Sequence, residues 1–185
     1  MKVDYIGMFG DWRGVADAAN TTIGREPGDK EPSPKWKRKI LLAEHSPIRT
    51  LQIRWRWIDL PYWVSVHLVR HKIGIEHFVR TQRSDRTGID RNELPQGALV
   101  THECVANPQS IINISRKRLC QQASKETREA WTLFLESIKL NHPELYSVCV
   151  PECVYRGWCT EFKSCGYSLT SKFREAHIQY RNYLL

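Results

Sequence analysis

The chain has 185 residues, with 28 Lys and Arg against 20 Asp and Glu, a formal net charge of +8 at pH 7, and 41% hydrophobic and 10% aromatic residues. That length fits one domain over residues 1–185 with enough chain to bury a core, and the composition excludes an intrinsically disordered protein. The positive balance favours an anionic partner: a nucleotide, a phosphate-bearing cofactor or a nucleic acid. No run of roughly 18 apolar residues occurs, so no membrane span is expected, and the first residues lack the apolar core and cleavage site of a secretory signal. A cytoplasmic protein is expected, whose six cysteines are thiols or metal ligands rather than disulfides.

Lys2 to Ile6 reads as a first strand, ended by the Gly7–Gly10 turn, and Gly14 to Ala19 as a short helix with close packing. Residues 24–34 form a Gly/Pro/charge loop, and Pro34 then opens a helix closing near His45. The clearest strand follows, where Leu51, Ile53, Trp55 and Trp57 alternate with Gln52, Arg54 and Arg56 and share one apolar face. Asp59 and Pro61 supply an N-cap and a first-turn proline for a helix running to Arg70. Thr87-Gly88 and Leu94 to Gly97 mark irregular chain around Arg91. Asn107 and Pro108 again read as N-cap and first-turn proline, here of a long helix reaching about Leu140 through an apolar stripe from Ile111 to Ile138. A Cys-bearing loop at 149–165 and an amphipathic helix from Ser168 to Tyr183 complete an α+β chain in which helices dominate.

Three groups of residues stand out. Leu60 to Arg83 begins apolar and ends basic, with Arg70-His71-Lys72, a short link, then Arg80-Thr81-Gln82-Arg83, and with His67 and His77 inside it. A helix C-terminus attracts cations through its dipole, and the same side chains bind phosphate; the residues alone leave both readings open. On the long helix, Arg118 lies beside the apolar seam, where an uncompensated charge is costly, so a phosphate, a pyrimidine edge or a carboxylate is expected as its partner. Cys149, Cys153, Cys159 and Cys165, spaced C-x3-C-x5-C-x5-C with His142 nearby, form a candidate structural zinc site, free and partly buried cysteines being the alternative.

In order and spacing these positions resemble the flavin-dependent thymidylate synthases. Arg70-His71-Lys72 is similar to their R-H-R, and Thr81-Gln82-Arg83, after one inserted residue, to the Ser-Gln-Arg that follows it. His45-Ser46-Pro47 resembles H-x-[ST]-P, and Arg91-x-x-Leu94-Pro95 resembles A-R-x-x-L-P. Asn107 lies 16 residues beyond Arg91 and Arg118 lies 11 beyond Asn107, as that family spaces them, and Ala16 to Thr21 is similar to the family's N-terminal A-A-R-x-S. Lys72 stands for the second Arg, His67 for a Gln or Glu, Gln109 for an Arg and Arg49 for a Glu, and the segment before Arg91 is shorter.

The resemblance implies an antiparallel sheet packed with a long central helix and further helices, and conversion of dUMP to dTMP with methylenetetrahydrofolate as carbon donor and NADPH-reduced FAD as hydride source. It implies Arg118 as the catalytic group. His67, Arg70, Arg80, Thr81, Gln82, Arg83, Arg91 and Arg118 would hold dUMP, and Ser46, Arg70, His71, Lys72, Asn107, Gln109 and Asn113 would line FAD, in a homotetramer whose sites are shared between subunits. The departures leave a second reading, a pyrimidine-nucleotide enzyme of the same fold with an altered folate or hydride step. A third is a basic nucleic-acid-binding module presenting Arg54, Trp55, Arg56 and Trp57. It is disfavoured because both tryptophans fall on the face expected to pack inward.

Overall fold

The computed structural model describes residues 1–182. β1 (Lys2–Phe9) is followed by α1 (Trp12–Thr21), whose cap Asp11 accepts from the Gly14 amide at 2.7 Å. α2 (Pro34–Leu42) begins with the expected proline, and Ser33 Oγ accepts from the Trp36 amide at 3.2 Å. It stops short of His45 because Glu44 adopts left-handed backbone, φ 49°. A 3₁₀ turn over Ser46–Thr50 leads into β2 (Gln52–Pro61), then α3 (Tyr62–Leu68), β3 (Ile75–Val79), the single turn α4 (Ser84–Thr87) and β4 (Leu99–Ala106). The remainder is helical: α5 (Pro108–Arg118), α6 (Lys125–Ile138), α7 (Pro143–Val148), α8 (Glu152–Arg156) and α9 (Ser171–Asn182). Tyr183, the expected end of the last helix, lies outside the described residues. No described helix is long and apolar enough to cross a membrane.

The strands form one antiparallel sheet in the order β1-β2-β4-β3. The alternation in β2 does what its period dictates: Ile53, Trp55 and Trp57 are buried on one face, while Arg54 pairs with Glu103 and Arg56 with Asp4 on the other. Helix α6 lies on the apolar face. Trp55 stacks on Phe134 with ring centroids 3.9 Å apart, and Trp57 Nε1 donates to the Ala130 carbonyl at 2.8 Å. Trp131 Nε1 donates to Ser115 Oγ at 2.9 Å, which fastens α6 to α5. Each ring buried here contributes roughly 2–3 kcal/mol. With both tryptophans fully buried, β2 offers no surface on which bases could stack.

Four local expectations are corrected. Asp59 does not cap a helix: β2 continues through it to Pro61, with a register irregularity between Trp57 and Leu60 and φ 56° at Asp59, and α3 starts at Tyr62 and ends at Leu68 rather than Arg70. β3 occupies chain read as a short link, and β4 lies in a stretch to which the sequence reading assigns no element. The long central helix is two helices, broken over residues 119–124, where the guanidinium of Arg128 donates to the carbonyls of Gln121 (3.1 Å) and Ala123 (2.6 Å) and so satisfies the backbone of the interruption. The 149–165 segment contains α8 rather than being wholly loop.

Candidate active site

Chain leaving β3 turns through Thr81, Gln82 and Arg83 into α4, and chain leaving α4 returns with Arg91. The Arg91 amide donates to Ser84 Oγ at 3.1 Å and Arg80 N to the Thr101 carbonyl at 2.9 Å, so both arms of the turn are fixed by backbone. Tyr62, Arg80, Thr81, Gln82, Arg83 and Arg91 thereby line one shallow polar pocket. Three guanidinium groups with a hydroxyl and an amide make a donor set for a phosphate and its sugar. Arg83 is already engaged by Asp85 through two bonds, Nε at 2.9 Å and a terminal nitrogen at 2.6 Å.

Arg118 ends α5. Its Nε donates to His71 Nε2 at 2.8 Å and a terminal nitrogen donates to the His67 carbonyl at 2.8 Å, and no carboxylate lies within 4 Å of it among the described residues. Burial, then the charge of Arg70, lowers its pKa. Burial, then Arg118 and His77, pushes the His71 pKa down to about 4, so the imidazole is neutral and accepts. His67 Nδ1 lies 3.1 Å from Thr127 Oγ1; burial is the main cause of its lowered pKa, with Arg70 and Arg118 adding to it. The arrangement is a half-buried cation held by neutral acceptors, with donors to spare on a five-donor group.

The loop from His71 to Gly74 runs along α5. Ser110 Oγ donates to the Ile73 carbonyl at 2.6 Å and the Asn107 amide to the Gly74 carbonyl at 3.0 Å. Gly74 is left-handed, φ 69°, and a Cβ there would stand 2.5 Å from Asn107 Nδ2. Asn107 itself caps α5, its Oδ1 accepting from the Ser110 amide at 2.9 Å.

The remaining residues expected at a flavin fall on another face of α5, as the 100° step per residue requires. Gln109 Nε2 donates to Glu44 at 2.5 Å, Asn113 accepts from Arg116 at 3.2 Å, and Arg116 closes the network in an ion pair with Glu44. Ser46 is exposed at the start of the 3₁₀ turn. One observation fits an anionic cofactor: the exposed Arg70 and Lys72 have no carboxylate within 4 Å among the described residues. Gln109 Oε1, buried without a hydrogen-bond partner, is an acceptor and calls for a donor. The expected residues therefore divide into an Arg70–Lys72/Arg118 group, a polar pocket around Arg80–Arg91 and a Glu44-linked group. No local motif marks Glu44 and Arg116 as a pair, since 72 residues separate them.

The expected metal set does not assemble. Cys149 is buried beside Ser115, its thiol pushed up to about 12 chiefly by burial, whereas Cys153, Cys159 and Cys165 line a pocket with Cys120 and Glu161. Among the described residues, His77, His102 and Cys104 are the group whose donor atoms converge, all within 4.8 Å of one another.

Edge-of-sheet arginines, a cation on the neighbouring helix and a basic loop between them sit on an α+β fold with one antiparallel sheet. Neither protein-family models nor curated proteins give a match to the chain. Solved structures do. Flavin-dependent thymidylate synthase ThyX from Helicobacter pylori, complexed with FAD and dUMP, superimposes with a TM-score of 0.65 at 14% identity over 81% of this chain and 100% of that one. The UMP/dUMP methylase PolB from Streptomyces cacaoi, bound with 5-Br dUMP, gives 0.62 at 12% over 80% and 93%. The chain has the fold of the flavin-dependent thymidylate synthases.

Proposed function

We propose that the chain is a dUMP-modifying enzyme that installs a one-carbon unit on the pyrimidine, with methylenetetrahydrofolate as donor and FAD, recharged by NADPH, as hydride source. The observation that carries this reading is Arg118: a half-buried guanidinium with no carboxylate partner among the described residues, set between the basic loop and α3. Its unused donors suit a pyrimidine carbonyl and favour the N3-deprotonated, polarised base. Arg80, Arg83 and Arg91, with Thr81 and Gln82, hold the phosphate and sugar. Arg70 and Lys72 supply charge for the cofactor's pyrophosphate, His71 orients Arg118, and Ser46, Asn107, Gln109 and Asn113 belong to the flavin side. FAD when bound supplies the hydride, so the protein needs no nucleophile and acts by positioning and electrostatics. The three separated groups suit a site completed by other copies of the chain in a homotetramer.

The Glu44–Gln109–Arg116–Asn113 network favours a second reading, an enzyme of the same fold with an altered folate or hydride step, because it ties flavin-side groups to one another. Absorbance of the purified protein and dUMP-dependent NADPH oxidation test both. A bound-flavin band with oxidation supports the first reading, and a flavin band without dUMP-dependent oxidation supports the second. FAD that neither binds nor raises Tm overturns both.

A further inference from the structure

On the inward face of β3 and β4, three donor atoms meet. His77 and Cys104 oppose each other in the ladder, and His102, two residues before Cys104, shares its face. His77 Nδ1 lies 2.9 Å from His102 Nε2 and 3.3 Å from Cys104 Sγ, and His102 Nε2 lies 3.4 Å from the same sulfur. His102 and Cys104 are fully buried.

Proton placement decides what this triangle is. His77 Nε2 lies 2.8 Å from the carbonyl oxygen of His71. A carbonyl only accepts, so Nε2 carries the proton and Nδ1 turns a bare lone pair into the triangle. That leaves no arrangement in which every polar group of the triangle is satisfied. If His102 carries its proton on Nε2, that N–H and the thiol compete for the one strong acceptor, His77 Nδ1, and the buried Nδ1 of His102, which has no partner, is an orphan acceptor. If His102 carries it on Nδ1, two lone pairs face each other across 2.9 Å. A cation removes the competition and the lone-pair clash, leaving His102 Nδ1 as a buried N–H. A ligand imidazole whose other nitrogen donates to a carbonyl, as His77 Nε2 does to His71, is how metal-bound histidines are oriented.

We infer that His77, His102 and Cys104 are the three protein ligands of a zinc site. Binding replaces the thiol proton, which leaves to solvent, by the metal, and two imidazoles with a thiolate select zinc over calcium or magnesium. Tetrahedral zinc, with bonds of about 2.0–2.1 Å to nitrogen and about 2.3 Å to sulfur, sets its donors roughly 3.3–3.6 Å apart. The sulfur–nitrogen distances are already there, and the nitrogen pair must open by about half an ångström. A solvent molecule or a further ligand would fill the fourth position. Through the His71 carbonyl, the metal would also brace the loop bearing Arg70 to Lys72 against the sheet.

The test is titration of Co2+ into the full chain with Cys120, Cys153, Cys159 and Cys165 changed to Ser, so that the other thiol-lined pocket cannot contribute. One equivalent should bind with a near-ultraviolet thiolate-to-cobalt band. Cys104→Ser should abolish the band, His77→Gln should weaken binding on the order of 100-fold, and Zn2+ at a hundredfold excess over Kd should raise Tm by about 5–10 °C. Absence of the band, or a band undiminished in both variants, overturns the site. If the serine background does not fold, the difference between the wild-type chain and His77→Gln carries the same test.

Discussion

Arg118 Nε and His71 Nε2 are 2.8 Å apart, and the direction of that bond sets the state of both groups. The arginine must donate, so the histidine holds its proton on Nδ1 and cannot take a second without expelling its partner. Lysine at 118 keeps the charge but cannot reach His71 and the His67 carbonyl with two fixed N–H groups. Arg118→Lys should lower turnover with dUMP on the order of 100-fold while leaving FAD affinity within about twofold, measured by single-turnover kinetics and by flavin titration.

Arg83 and Asp85 hold each other at the rim of the polar pocket, both well exposed, and such pairs contribute at most about 1 kcal/mol. A nucleotide phosphate must compete with Asp85. Asp85→Asn should therefore tighten dUMP by up to about fivefold, and Arg91→Ala should weaken it by about tenfold or more, both read by isothermal titration at fixed salt.

Trp55 and Trp57 offer a matched comparison inside one core. Trp57 Nε1 donates to the Ala130 carbonyl, whereas Trp55 Nε1 is buried with no partner. Replacing either by Phe removes ring volume, but only Trp57→Phe also strips a buried bond. Chemical denaturation should show Trp57→Phe the more destabilising by about 1 kcal/mol or more.

His142 is buried with its Nε2 2.7 Å from the Tyr5 hydroxyl, and burial is the main cause of its lowered pKa. The unfolded chain takes up this proton near pH 6.5, at about the ordinary histidine value. Stability from the neutral ring is complete above that pH and is lost as pH falls, because the unfolded state then binds more protons. Tm measured from about pH 8 to about pH 5 should fall less steeply in His142→Gln.

How much of this could be read in the sequence follows from which residues mark an element. β2 was legible because tryptophan and isoleucine alternate with arginine. β4 alternates just as strictly, but His102 and Cys104 stand at two of its inward positions and masked the period, and β3 turns Phe78 outward. The break after Arg118 has no glycine or proline to announce it; the carbonyls there are satisfied from Arg128 in the next helix. The arginine positions of the candidate site were legible because they sit in short local motifs. The Glu44–Arg116 pair and the His77–His102–Cys104 triangle were not, since each exists only when separate elements meet.

The loop that carries the basic cluster rests on α5 with the thickness of a single hydrogen atom to spare at Gly74. Its charges at 70 and 72 face solvent, where the proposed cofactor would meet them. Its smallest residue is constrained differently: a methyl group at 74 would stand 2.5 Å from Asn107 Nδ2, in left-handed backbone, so the side chain that caps α5 would have to shift. Among descendants of this sequence, then, position 74 should be held as tightly as the cations at 70 and 72, although it carries no charge of its own.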